Sequence, residues 1–261
     1  MSNSLSEVVR SPINTRRVGE YGHFVASLPQ LVSDLQEFLE VDLESFRHEV
    51  TTITRDEQGV HPEEAAVLYL LIRGLRPGLV LETGTFKGYS TAEIARALEL
   101  NASGHLVTVD IASSTGEMVP PRLQPYVTFH RSEPSETFAA KLPAGQRLDL
   151  FFHDSLHTFM NTLGELVWFA DRYAPGAVIV CHDAKMDYVD NFGVGKAVRR
   201  FASALGLSYR ILDTTCGLAV LKWPHQPPGD RLAVLREEYG VLQRLANEGR
   251  LRRAVRKLVG V

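Results

Sequence analysis

The spacing of apolar positions changes from one stretch of this chain to the next, and that spacing predicts the elements. From Leu79 to Trp223, short β-rich runs alternate with stretches in which apolar residues recur at helical intervals, the pattern of βαβ units and a mainly parallel sheet. Seven strands are predicted: Leu79–Thr83, His105–Asp110, Val127–Arg131, Leu148–His153, Ala177–His182, Tyr209–Leu212 and Leu218–Trp223. The fourth and fifth are nearly continuous apolar runs, as central strands covered on both faces should be. Helical spacing marks Tyr89–Leu100, Thr158–Tyr173 and Val194–Leu205, and Pro175–Gly176 punctuates the chain before the fifth strand. Only Asp213–Gly217 separates the last two strands, too short for a helical crossover, so an antiparallel hairpin is expected there.

These elements add up to an α/β fold with a Rossmann-like, doubly wound sheet of about seven strands, mostly parallel and ending in the antiparallel hairpin. Before it, Leu28–Val50 and Pro62–Gly74 have helical character, separated by the polar stretch Thr51–Gly59, and read as a lid or cap. After the linker Pro224–Gly229, a stripe of Leu232, Leu235, Tyr239, Leu242, Leu245, Leu251 and Val255 predicts an amphipathic helix or pair. The expected division is an N-terminal extension over residues 1–60, a central domain over 61–223 and a helical extension over 224–261. A net charge of -3 gives no reason to expect nucleic acid or an anionic membrane as partner, and the basic residues of the tail read as a solvated face or a contact within a homo-oligomer. Two cysteines are too few for a disulfide framework, the polar start carries no apolar signal segment, and no apolar run reaches bilayer length; a cytoplasmic chain with a small-molecule partner is expected.

The first strand runs directly into Thr83-Gly84-Thr85-Phe86-Lys87-Gly88-Tyr89-Ser90-Thr91 and then a helix. Gly84 and Gly88 permit a sharp turn and close approach to a ligand, and the helix start offers free N–H groups. A dinucleotide loop would carry a second glycine where Phe86 stands, so a pyrophosphate is disfavoured. Asp110 ends the second strand, where a carboxylate accepts hydrogen bonds from a ribose diol. Ribose without phosphate points to an adenosyl group.

At Glu82, Gly84 and Gly88 the chain resembles class I S-adenosylmethionine-dependent methyltransferases, whose first motif is commonly E/D-x-G-x-x-x-G. E-T-G-T-F-K-G-Y-S-T at 82–91, H-D-S-L-H-T at 153–158 and A-P-G-A-V-I-V-C-H-D at 174–183 are more closely similar to the small-molecule O-methyltransferase group that includes macrolide-sugar methyltransferases and cephalosporin-hydroxylase-type proteins. The resemblance implies cofactor contacts from Glu82, Gly84, Gly88, Ser90, Asp110, Ser132 and Asp154, with Glu82 and Gly84 at the methionine end and Ser132 near the adenine.

Ligands in open α/β sheets collect at the carboxyl ends of the strands, and there the fourth and fifth strands deliver Asp154, His157, His182 and Asp183. Carboxylates and imidazoles so placed can bind a divalent cation or act as general acid and base. His153 should point to the opposite face of its strand. In the resembled group the D-x-x-H block supplies an acidic metal ligand and a catalytic histidine, which implies catalytic roles for Asp154 and His157 and a metal set of Asp154, His182 and Asp183. His182 stands where that group usually has Asp or Glu, and imidazole suits a first-row transition ion better than Mg²⁺. The alternatives are that Asp154 caps the next helix and that His182 is a buried, hydrogen-bonded residue. The expected function is O-methylation of a small molecule, as in natural product biosynthesis, with His157 as general base; the alternative is a cofactor-binding protein that catalyses a non-methylating reaction such as a cyclisation.

Overall fold

The computed structural model describes residues 18–52 and 59–259. Seven strands, β1 (Leu79–Thr83), β2 (His105–Val109), β3 (Val127–His130), β4 (Leu148–His153), β5 (Tyr173–Cys181), β6 (Tyr209–Leu212) and β7 (Leu218–Lys222), form one sheet in the order β3-β2-β1-β4-β5-β7-β6. The first five are parallel, and β7 runs antiparallel to both β5 and β6. Strand order reverses between β1 and β4, which opens a crevice at their carboxyl ends.

Alternation along the strands divides the core into two faces. Val80, Leu106, Leu150, Phe152, Val178, Val180 and Val220 pack beneath α1 (Val18–Leu39), α2 (Pro62–Leu75) and α3 (Tyr89–Asn101). Leu81, Val107, Phe151, Ile179, Cys181 and Leu221 pack beneath α4 (Ser135–Lys141), α5 (Phe159–Trp168), α6 (Val194–Leu205) and the start of α7 (Asp230–Val259). Fully buried Phe151 lies 5.2 Å from the Phe169 ring, and its burial is worth about 3 kcal/mol.

Several expectations are corrected here. α2 is a wall of the core, not a lid: every residue from Glu64 to Ile72 is buried, because a helix apolar around its circumference belongs inside. The N-terminal helical stretch is broken at Glu40, whose φ of 59° ends α1, while the Gln36 side chain accepts from Leu43 N–H and Glu44 N–H; a 3₁₀ segment follows at Glu44–Thr52. β5 starts at Tyr173, ahead of the expected Ala177, because Pro175–Gly176 is absorbed in an irregularity where the register to β4 shifts between Leu148 and Leu150. α5 ends at Trp168, and α4 was not foreseen.

α7 is a single helix. Leu232, Leu235 and Tyr239 are buried in the chain's own core, while Val234, Val241 and Leu245 on the same helix are exposed. The reading of the polar N-terminal start and most of Thr51–Gly59 falls on residues outside those described, as do the side chains of Leu251 and Val255. No helix among the described residues is long and apolar enough to cross a membrane.

Candidate functional site

The strand ends are knitted together one residue beyond the sheet. Gly84 N–H donates to the Val109 carbonyl, Asp154 N–H to Thr83 and His182 N–H to His153, each at 2.9 Å. Parallel register therefore sets the loop after β1 directly against Asp154, and Asp154 against His182.

That contact, together with the sharp turn expected at this position, accounts for the glycine at 84. Its φ is +89°, and a Cβ there would stand 2.2 Å from the Asp154 carbonyl oxygen, so the hydrogen is required by loop–loop packing. Gly88, also at φ +89°, caps α3 and packs on Gly116 and Val119 in the same manner.

Glu82 is fully buried behind the loop and accepts hydrogen bonds from Ser90 Oγ (2.6 Å), Thr91 Oγ1 (2.6 Å) and Thr108 Oγ1 (2.7 Å). Burial pushes its carboxyl up to about 7 against the pull of those three hydroxyls. Glu82 and Ser90 thus brace the turn from within, with the Glu82 side chain closed to solvent.

Asp110 joins two loops: Oδ2 accepts Phe86 N–H and Oδ1 accepts Ala112 N–H, both at 2.8 Å. Each oxygen retains a lone pair for a further donor. Ser132, at φ 57°, donates its N–H to the Ala112 carbonyl (3.0 Å), so Asp110 and Ser132 border the same surface.

On the other side of Gly84 the acidic and imidazole residues converge. His157 Nε2 lies 3.3 Å from Asp154 Oδ1 and 3.1 Å from Asp183 Oδ2. The Phe192 ring stacks on His157 at 5.2 Å and 11°, and Gly193 N–H donates to the His157 carbonyl. His182 Nδ1 lies 2.9 Å from Asp154 Oδ1 and 3.4 Å from Asp183 Oδ2. One donor atom from each of Asp154, His157, His182 and Asp183 falls within 4.8 Å of the others, a grouping able to hold a metal ion. Burial raises the Asp154 carboxyl, but the two imidazoles outweigh it and hold the group at about 2. Burial likewise disfavours a charged His182, yet the surrounding carboxylates, Asp154 foremost, hold its pKa well above the usual imidazole value.

Two residues that sequence reasoning missed complete the site. Glu64, at the start of α2, reaches His182 Nε2 at 2.9 Å. The only local signal was an acidic residue in the first turn of an otherwise apolar helix, which reads equally well as a capping box. Glu165 on α5 is fully buried and accepts from Thr83 Oγ1, Ser135 Oγ and Ser155 Oγ while facing His153 Nδ1 at 2.7 Å. His153 does point away from the cluster and belongs to this scaffold. Lys185 is held by Asp213 and the Thr214 carbonyl on the surface.

Residues 81–184 match a family model described as a methyltransferase domain. Among solved structures, an O-methyltransferase from Bacillus cereus in complex with SAH is 22% identical, covering 69% of this chain and 89% of its own, with a TM-score of 0.53. The O-methyltransferase TomG from Streptomyces achromogenes, involved in tomaymycin synthesis and solved with SAM, is 22% identical, covering 74% of this chain and 95% of its own, with a TM-score of 0.52. At such identities the likeness establishes the fold. No curated protein matches the sequence.

Proposed function

We propose that this protein, whose residues 81–184 match a family model described as a methyltransferase domain, moves the methyl group of S-adenosylmethionine onto a hydroxyl of a small molecule. The observation that carries this reading is the contact between the Gly84 turn and Asp154, which sets a cofactor loop beside an acid–imidazole cluster. The SAH and SAM held by the two O-methyltransferases of similar fold support the cofactor and the oxygen acceptor. A specialised metabolite as acceptor rests on the resemblance seen in the sequence and on the synthesis in which the Streptomyces protein takes part.

The cofactor supplies a methyl already activated on a sulfonium, so the chain has to place the acceptor and remove a proton. Asp110 accepts from the ribose diol, with Ser132 beside the base, while Gly84 and Gly88 let the turn pack closely on Asp154 and Gly116 and Ser90 braces it through Glu82, so that the turn's backbone faces the methionine end. His157 is the general base. Its Nε2 faces Asp154 and Asp183, which stabilise the imidazolium, and this leaves Nδ1 to take the hydroxyl proton. Phe192 fixes the plane of the ring.

The donor set fits a divalent ion, since buried His182 Nδ1 has no hydrogen-bond partner among the described residues and lies between two carboxylates. Asp154, His182 and Asp183 would hold that ion, a Lewis acid toward the acceptor oxygen. Residues 61–223 carry the reaction in this reading, the extensions at 1–60 and 224–261 flank it, and the C-terminal helix and N-terminal extension contribute to a homo-oligomer contact, which the exposed Val234, Val241 and Leu245 of α7 support.

Incubating the protein with methyl-labelled S-adenosylmethionine and a small-molecule extract should yield S-adenosylhomocysteine and a labelled metabolite, and His157→Ala should slow turnover by about 10²–10⁴-fold. Cofactor binding with no S-adenosylhomocysteine formed would move the reading to a non-methylating reaction.

A further inference from the structure

Glu64 has no part in the scheme above, yet it is fully buried, and its neighbours come from distant parts of the chain. Oε2 accepts His61 N–H (3.1 Å) and faces His182 Nε2 (2.9 Å); Oε1 accepts Thr214 Oγ1 (3.0 Å) and Cys216 N–H (2.8 Å). A carboxylate already taking three donors can meet Nε2 favourably only if Nε2 carries its hydrogen. The ring is thereby turned so that Nδ1 points at Asp154 and Asp183, and this atom is buried without a hydrogen-bond partner among the described residues.

A histidine that binds a metal through one nitrogen commonly gives the other N–H to a carboxylate, which fixes ring orientation and strengthens the ligand. The separations of Nδ1 from the two carboxylates, 2.9 and 3.4 Å, bracket the edge of about 3.3 Å expected when N and O ligands sit tetrahedrally at about 2.0–2.1 Å from one ion. We infer that Glu64 is a positioning residue which presents His182 Nδ1, with Asp154 and Asp183, to a first-row transition ion, so that this site selects such an ion over Mg²⁺. The inference rests on the cation part of the proposed function and is independent of methyl transfer itself. Its chemical basis is that imidazole nitrogen suits these ions, whereas Mg²⁺ demands oxygen.

The test uses full-length, tag-free protein stripped with chelator, then titrated with Co²⁺ by visible absorption and with Mg²⁺ in competition. Wild type should take up one Co²⁺ with a tetrahedral-type spectrum and bind it far more tightly than Mg²⁺. Glu64→Gln should weaken Co²⁺ binding by about 10–100-fold, and His182→Asp should narrow or invert the preference. Wild type that binds Mg²⁺ as well as Co²⁺ would overturn the inference. So would a folded Glu64→Gln protein with unchanged Co²⁺ affinity and spectrum, since a purely structural Glu64 would lower the melting temperature and leave metal preference alone. If Glu64→Gln fails to fold, the comparison of wild type with His182→Asp still decides. S-adenosylhomocysteine titration of the same samples separates the two ideas: retained cofactor binding with no metal preference defeats the inference and leaves the methyltransferase reading standing.

Discussion

Gly84→Ala isolates the role of the turn from that of any ligand. The added Cβ would stand 2.2 Å from the Asp154 carbonyl oxygen, 2.6 Å from its carbon and 2.8 Å from Ser155 N, all backbone atoms that cannot swing aside as a side chain would. The β1 and β4 loops must separate by about 1 Å, and overpacking of that kind costs about 1–3 kcal/mol. The backbone φ of +89° adds about 1–2 kcal/mol for any residue with a Cβ. The expected loss is about 2–5 kcal/mol without any ligand, or a fall in Tm of roughly 4–20 °C for a chain of this size. Urea and thermal unfolding of ligand-free protein would measure it. Stability within about 0.5 kcal/mol of wild type, with weakened cofactor binding, would refute the packing argument and return Gly84 to a role in making room for ligand.

Two further predictions concern buried carboxylates. Glu165→Leu should destabilise by about 3–5 kcal/mol, because it strands His153 and three hydroxyls without their shared acceptor; urea unfolding checks this, and a loss below 1 kcal/mol would contradict it. Glu82 titrates near 7 in the fold against 4.5 when free, so the native state binds its proton more tightly. Its contribution is present below pH 4.5 and is lost as pH rises through 7, a change of about 3 kcal/mol. Stability measured against pH should therefore fall over that window in wild type and fall less in Glu82→Gln; parallel curves would remove Glu82 as the cause.

Much of the architecture was legible because burial imposes its period on each element separately. Near-continuous apolar runs marked β4 and β5 as central, and the five-residue link at Asp213–Gly217 forced β6 and β7 to pair antiparallel. Local spacing failed where long-range contact decided the outcome. α2 looked like an appendage since only the folded chain reveals that layers of structure cover it on every side. The Pro175–Gly176 pair ordinarily ends a strand, but here the sheet absorbs it in a register shift. At the site, Asp154, His157, His182 and Asp183 were recognisable because each follows a strand that ends at the crevice, and the structure brings all four together. Glu64 meets His182 across 118 residues of sequence and Cys216 across 152, a relation with no local trace.

The central claim is an adenosyl cofactor held between the Gly84 turn and Asp110, and calorimetric titration with S-adenosylhomocysteine tests it most directly. Wild type should bind one equivalent, and Asp110→Ala should weaken binding by about 1.5–3 kcal/mol, roughly 10–150-fold, for the loss of hydrogen bonds to a charged group. Wild-type protein that takes up no S-adenosylhomocysteine, or an Asp110→Ala variant of unchanged affinity, would contradict the account.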